Sequence, residues 1–475
     1  MIKNQHNIKL GGFLEIWQIA YPLILVNASN VIMQFVDRKF LSMNSTVDVA
    51  AALPGGILCF TLFSFFTVTT GFSSAIVSQY NGRNDHEACS RVPWASFYYA
   101  LFAGLVCSYL MPFLGNYVIS AGGHLPEIIS REKQYFNVMI ATGGFTCIMI
   151  AFCSFFSGRG KTLVVAGIML SSCGLNCILD YIFIFGKFGF PALGITGAGF
   201  ATTLSAAFGA LLAFIVFIFQ NQKKYPTRKG LFFKFSDLKR LVMFGSPSGF
   251  QVCFDVGAFT FVIFVIGRLG EAPLAATTIA LSINMIAFMP LLGMSEATGI
   301  ITAKYIGYGR KDISEKQAYK ALLIAICYIV VVSLVFVVFP DYFFRIFSPE
   351  NEMGNFSEVM KHGRAILACA AAYNFFDAIY FISIGVLRGA GDTRFPMYVV
   401  ISCAWCILVP GILLCVFVFK LSIVGIWVYI AIYIAIVCSI IFRRFRSGKW
   451  KKIDLIEKIP YREDGTGHTM DPVPS

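Results

Sequence analysis

Apolar residues in this chain run in long stretches, not at the three-to-four-residue spacing of a helix with one greasy face. Each stretch is long enough to cross a hydrocarbon core of about 30 Å, which takes roughly 20 helical residues. The pattern predicts twelve membrane spans, at 13–37, 50–79, 93–118, 134–157, 162–186, 193–219, 240–266, 272–304, 317–340, 362–386, 395–419 and 422–443. A short polar start with Lys3 and Lys9 precedes the first stretch, and no small-residue cleavage site follows it. That stretch therefore reads as a retained span and not as a secretion signal.

Composition fits this pattern. The 475 residues are 57% hydrophobic and 13% charged, with a mean hydropathy of +0.74. A soluble domain carries about a quarter charged residues, so the expected fold is all-α and integral to a membrane.

A net charge of +13 would suit a nucleic-acid partner, but its placement excludes one. Segment 220–240 holds Lys223, Lys224, Arg228, Lys229, Lys234, Lys239 and Arg240. Arg310, Lys311, Lys316 and Lys320 fall in a second connection, and Arg443, Arg444, Arg446, Lys449, Lys451 and Lys452 follow the last span. The alternate connections 187–192 and 267–271 are nearly neutral. By the positive-inside rule both termini are cytoplasmic, in a multi-pass protein of the plasma (inner) membrane. Contact with membrane lipid is the partner this charge implies.

Landmarks recur along the chain. "IAYPLILV" (19–26) leads into an apolar stretch ending "SQYNGRND" (78–85), and "FGSPSGFQ" (244–251) into one ending "IGYGRKD" (306–312). This pairs Pro22 with Pro247 and Gly82 with Gly309; "SGRGKT" (157–162) and "LRGAGDT" (387–393) follow at a similar offset. The expected organisation is two six-span lobes, 1–220 and 240–443, joined by a basic linker at 221–239 and followed by a tail at 444–475. Six spans per lobe give both halves the same orientation, a parallel repeat used by transporters.

Ionisable groups inside spans are expensive and mark function. In "LNCILDYIFIFGKFG" (175–189), Asn176 and Asp180 stack one turn apart on a single helix face. Counting along the spans brings Thr202 and Asp37 to a comparable depth. Two carboxylates, an amide and a hydroxyl make a hard, oxygen-only site suited to Na⁺ or H⁺. Two bland arrangements compete with it: Asn176 and Thr202 bonded to nearby backbone with Asp180 paired to Lys187, or Arg38 paired to Asp37. In the second half Asp255 and Asp377 lie near the midplane, with Tyr373 one turn from Asp377, either as a second ion site or as a polar network between helices. Glu296 is expected at the inner interface with Lys304.

Other chemistry is excluded. "SGRGKT" ends in GKT, but Phe155 stands where a phosphate-binding loop needs its first glycine. HExxH and GxSxG motifs are absent, so neither an enzyme nor a cofactor is expected. His6, His86, His124, His362 and His468 fall in tails, loops or span edges, which leaves proton movement through the membrane to carboxylates. Of 14 cysteines only Cys89 reads as a loop residue; the others sit in spans as small hydrophobes. Cys403 and Cys406 lack a second pair to complete a metal site.

The ordered set "QFVDRKFL", "NGRND", "LNCILDYIFIFGKFG", "GITGAGFATT", "YNFFDAIYFISIGVLRGAGDTRFP" and "VGIWV" resembles the multidrug and toxic compound extrusion (MATE) family over residues 13–443. The resemblance implies two six-helix lobes related by a pseudo-two-fold axis. It also implies a cation or proton site at Asp37, Asn176, Asp180 and Thr202. Tyr373 and Asp377 match the family's second-lobe pair, and Asp255 stands where an acid, often Glu, is usual. This chain departs from the family pattern at Arg38 and Lys39, where small or polar residues are usual, and at Asp255, which is one methylene shorter than Glu. The expected function is a monomeric secondary antiporter exporting cationic amphipathic compounds against Na⁺ or H⁺. Forty-nine Phe and twenty Tyr supply rings that suit such compounds. The rivals are a lipid-linked flippase and a non-transporting membrane enzyme or scaffold.

Overall fold

Hydrocarbon offers a peptide group no hydrogen-bond partner, so a chain this apolar must close its backbone bonds within helices. The computed structural model, described here for residues 12–121, 126–231, 234–346 and 353–457, does so. Among these residues twelve helices are long and apolar enough to span a membrane: Phe13–Asn44, Ala51–Gly82, His86–Ala121, Pro126–Ser157, Thr162–Phe185, Gly194–Ile218, Phe235–Gly267, Glu271–Gly307, Lys311–Val338, Glu358–Ala390, Arg394–Val418 and Ile423–Arg446. They are spans 1 to 12 below.

Several helices begin a turn or two before their apolar stretch. Span 3 starts at His86 instead of 93, span 4 at Pro126 instead of 134, and span 9 at Lys311 instead of 317. Polar first turns continue a helix beyond the hydrocarbon, where hydropathy carries no signal. Cys89 is corrected for the same reason: it lies on the first turn of span 3 and is fully buried. His6, His124 and His468 lie outside the described residues.

Spans 1–6 and 7–12 form two lobes whose repeat is written in backbone conformation. Asn84 (φ 60°) and Gly309 (φ 75°) are both left-handed, and so are Gly160 (φ 74°) and Gly391 (φ 90°). Asp85 N donates to Tyr80 O, as Arg310 N does to Tyr305 O; Lys161 N donates to Phe156 O, as Asp392 N does to Leu387 O. These turns correct the pairing of Gly82 with Gly309. Gly309 is the counterpart of Asn84, and Gly82 matches Gly307 at the same offset that relates Pro22 to Pro247.

The lobes meet on the side that carries the basic connections, called the basic side here. Small residues let the backbones close up there, as between membrane helices generally. A Cβ on Gly82 would lie 2.3 Å from Lys304 O, and one on Gly307 2.2 Å from Gln79 O. Ser78 Oγ donates to Ile300 O (2.7 Å) and Gln79 Nε2 to Gly389 O (3.1 Å). Glu15 of span 1 takes Lys304 Nζ (2.8 Å) and the Tyr305 hydroxyl (2.6 Å) of span 8. Moving away from the basic side, the contacts reach Ile24 on Gly293 and Phe65 on Phe250, whose rings are 4.6 Å apart. All but Phe65, which stands just beyond the midpoint of span 2, lie in the basic half of their spans. Asp255, just past mid-span, and Glu296, in the basic half of span 8, are exposed, so the lobes part beside these contacts into a cleft that opens toward the opposite side.

This contact makes a pair of glycines diagnostic. Gly307→Ala is expected to destabilise the protein by about 1–3 kcal/mol, because its methyl meets backbone that cannot turn away. Gly167→Ala meets nothing within 4 Å and is expected to be neutral or to stabilise by up to about 1 kcal/mol. Thermal unfolding of both variants in one lipid nanodisc composition checks the difference.

Candidate functional site

Three helices bring four polar side chains to one level of the first lobe. Asp37 lies seven residues before the end of span 1, Asp180 five before the end of span 5, and Thr202 eight after the start of span 6. At 1.5 Å per residue all lie about 8–12 Å from the same side of the protein. Asn176 is one turn deeper than Asp180 on the same helix face. All four are buried: Asn176 and Asp180 are 0% exposed, Thr202 6% and Asp37 9%.

The amide of Asn176 bridges the two acids. Its nitrogen, turned toward them, donates to Asp37 Oδ1 and to Asp180 Oδ2, each at 3.2 Å. The opposite orientation would aim the amide oxygen at acceptors only. The remaining amide atom stands 3.4 Å from Thr202 Oγ1, whose own proton goes to Ala198 O at 3.0 Å. The Asp37 and Asp180 side chains also lie within hydrogen-bond reach of each other. Asp180 Oδ1 is buried and has no partner. A pair of adjacent carboxylates with one oxygen unsatisfied is chemically suited to accept a proton or a small hard cation.

Of the bland alternatives only the bond from Thr202 to its own helix backbone is formed. Arg38 and Lys187 are exposed, and neither makes an ion pair with Asp37 or Asp180 among the described residues. The far end of the site is closed instead by Asp48. Its Oδ2 accepts from Ile195 N (3.2 Å), at the start of span 6, and from Asn44 Nδ2 (3.1 Å), while Arg131 Nε approaches Oδ1 at 3.7 Å. Spans 1, 4 and 6 are thereby tied together above the acids.

The second-lobe residues are arranged differently. Tyr373 is buried, its hydroxyl accepts from Asn284 Nδ2 (3.2 Å), and Asn374 Nδ2 donates to Asn284 Oδ1 (2.8 Å). Asp377 is half-buried and Asp255 exposed. The two acids are electrostatic neighbours, yet among the described residues no hydrogen bond joins Asp255, Tyr373 and Asp377 to one another. Asp255 counts as exposed although protein surrounds it closely, because it faces the cleft.

Glu296 also faces the cleft, which corrects the expected partnership with Lys304. The two residues are two helical turns apart, and Lys304 pairs with Glu15 instead. Sequence reading missed Arg388, whose guanidinium lies near Asp255 and Glu296 and is 3.5 Å from Gln251 Oε1. Gln251 Nε2 donates in turn to Tyr380 (3.2 Å), and Arg388 Nε has no partner. The available signal was a lone arginine directly after "ISIGVL", just past the end of a predicted span.

Comparison with known proteins places this geometry. The MatE family model matches residues 22–182 and 247–414, one block in each lobe. The chain is 27% identical over 464 residues to the "Probable multidrug resistance protein NorM" of Thermotoga maritima, covering 95% of this chain and 96% of that protein. The protein of the same name from Pseudomonas putida is 28% identical over 458 residues, covering 94% and 96%. A crystal structure of a MATE protein in complex with MaL6 superposes with a TM-score of 0.81 at 21% identity, over 92% of this chain and 97% of that one. With both halves matched on the fold just described, the chain belongs to the MatE family, the multidrug and toxic compound extrusion family that its motifs resemble.

Proposed function

We propose that this protein is a secondary antiporter that exports small cationic amphipathic organic compounds in exchange for Na⁺ or H⁺. The observation that carries this reading is the buried pair Asp37–Asp180 bridged by the Asn176 amide, with Asp180 Oδ1 unsatisfied. The amide N–H groups stand where a cation would neutralise both acids. Rotation of that one amide would turn its oxygen inward, converting two donors into one ligand. Asp37, Asn176, Asp180 and Thr202 then offer oxygen alone, the ligand type that Na⁺ takes. A proton serves by the same logic, placed between the two carboxylates.

The second lobe contributes acids that line the cleft. Asp255 and Asp377, with Tyr373 holding the helix face, are a second cation or proton site, and Asp255 and Glu296 face the volume an organic cation would enter. A flippase for lipid-linked anionic substrates is favoured less, since acids outnumber the single Arg388 there. An uncompensated carboxylate is costly to enclose, so closure of the cleft is coupled to which cation neutralises it. Names carried by the relatives, multidrug resistance proteins, support the substrate class. The basic side is taken as cytoplasmic and both termini with it, which makes the arrangement described here the outward-open one. The protein is proposed to act as a monomer, with no cofactor beyond the coupling ion.

Four experiments test this reading. Lys229→Cys and Ala192→Cys, both exposed, should be labelled by an impermeant maleimide from opposite faces; labelling from one face would overturn the topology. Asp180→Asn should fold normally and lose ion-driven efflux of a labelled organic cation from vesicles. Na⁺ binding to the purified wild type should weaken from pH 8 to pH 6, because both cations compete for the same oxygens. Affinity indifferent to pH and to Asp180→Asn would assign Asp180 a structural role. Asn176→Leu leaves two acids without their donor and should lower stability by about 1–3 kcal/mol. Thr202→Val loses mainly a bond within its own helix and should cost less than about 1 kcal/mol; thermal unfolding compares the two.

A further inference from the structure

The chain does not end its work at span 12. After Arg446 it turns through left-handed Gly448 into the short helical turn Lys449–Lys452 and runs on to residue 457. The root of this segment is fixed on the second lobe. Trp450 is fully buried with its indole N–H on Phe445 O (2.9 Å), Lys451 Nζ meets Glu315 (2.6 Å), and Lys311 donates to Lys451 O. Ile453 and Leu455 then pack on Gly391.

Its tip sits across the boundary. Leu455 and Ile456 are 1% and 3% exposed and belong to the first lobe's core cluster, together with Tyr80 and with Leu241 of span 7. Arg83, just after span 2, donates to the Glu457 carbonyl, and Arg240 of span 7 donates to its carboxylate. Arg240 also reaches the Tyr80 hydroxyl (2.9 Å) and lies 3.6 Å from Asp237, which in turn binds Arg91 of span 3 at 2.6 Å. Arg240 beside it holds the Glu457 carboxyl below its ordinary range. Every one of these partners is on the basic side, where the lobes are in contact.

We infer that residues 449–457 form an intramolecular strap that keeps the lobes together on the basic side and must leave its seat whenever they part there. Its root is bound to one lobe and its apolar tip to the other, so separation of the lobes pulls Leu455 and Ile456 from their pocket and breaks the contact of Arg83 with the Glu457 carbonyl. The strap therefore biases the protein toward the state that is open on the opposite side. This rests on the proposed antiport reading for its purpose, since an alternating cycle is what requires the basic side to open.

Hydrogen exchange of the full chain in nanodiscs tests the strap with no transported compound or ion gradient present, so a failure of antiport and a failure of the strap are told apart. In Leu455→Ser/Ile456→Ser the amides of 78–85 and 300–310 should exchange at least tenfold faster than in the wild type, equivalent to about 1.4 kcal/mol. Faster exchange confined to 449–457 would overturn the inference, because the segment would then be a passenger. Removal of 458–475 alone should leave both regions at the wild-type rate; loosening as large as in the double variant would place the hold beyond Glu457 and overturn it too. Should the double variant fail to fold, Leu455→Ala trims only one of the two apolar side chains at the tip. A threefold acceleration at 78–85 is then expected, and no change would reject the strap.

Discussion

An acid inside an apolar helix has to be neutralised by something its neighbours supply, and the first lobe is organised around that demand. Asp37 and Asp180 come from different helices, and the Asn176 amide is the group that satisfies both. Holding it in place fixes the rotation of span 5 against span 1. Thr202 brings span 6 to the same point, and Asp48 with Arg131 ties the helix ends above it. Apolar packing alone would leave those rotations loosely set, because lipid is as greasy as the helix faces and gives little preference between them.

The second constraint is close approach. Gly82 and Gly307 meet span 8 and span 2 where any side chain would strike a carbonyl, and Gly299, Gly385 and Gly389 repeat the arrangement between spans 8 and 10. Polar links from Ser78, Gln79 and Glu15 then form across surfaces that are already in contact. Among the described residues the opposite half of the interface has no equivalent set, and the difference between the two halves is what shapes the cleft.

Much of this was legible in the sequence because hydrocarbon dictates helix length. The twelve spans, the two-lobe repeat and the shared depth of Asp37, Asn176, Asp180 and Thr202 all follow from counting residues along rigid rods. Counting gives height and not azimuth, so it could not say that Asp377 and Asp255 stand apart while the first-lobe acids touch, nor that Arg388 reaches Gln251 on another helix. It misplaced Cys89 and the ends of spans 3, 4 and 9, because a helix leaving the membrane stops being apolar before it stops being helical. Glu296 and Lys304 were joined by composition, although eight residues of helix separate them. The segment after span 12 read as a basic tail, and Leu455 and Ile456 are too few to register as an apolar stretch.

Burial differs between the two acidic groups, and it sets a clock for each. Water reaches Asp255 through the cleft, so its hydration adjusts as fast as solvent moves. Asp180 is sealed on every side, and under the proposed antiport an ion arriving there would wait for spans 1, 5 and 6 to separate. Such helix motions belong to the microsecond-to-millisecond range, slower by orders of magnitude than diffusion to an open carboxylate. On the proposed reading the two lobes would sample their surroundings at different rates, one continuously and one in discrete openings, and the slower one would have the longer memory of the ion it last held.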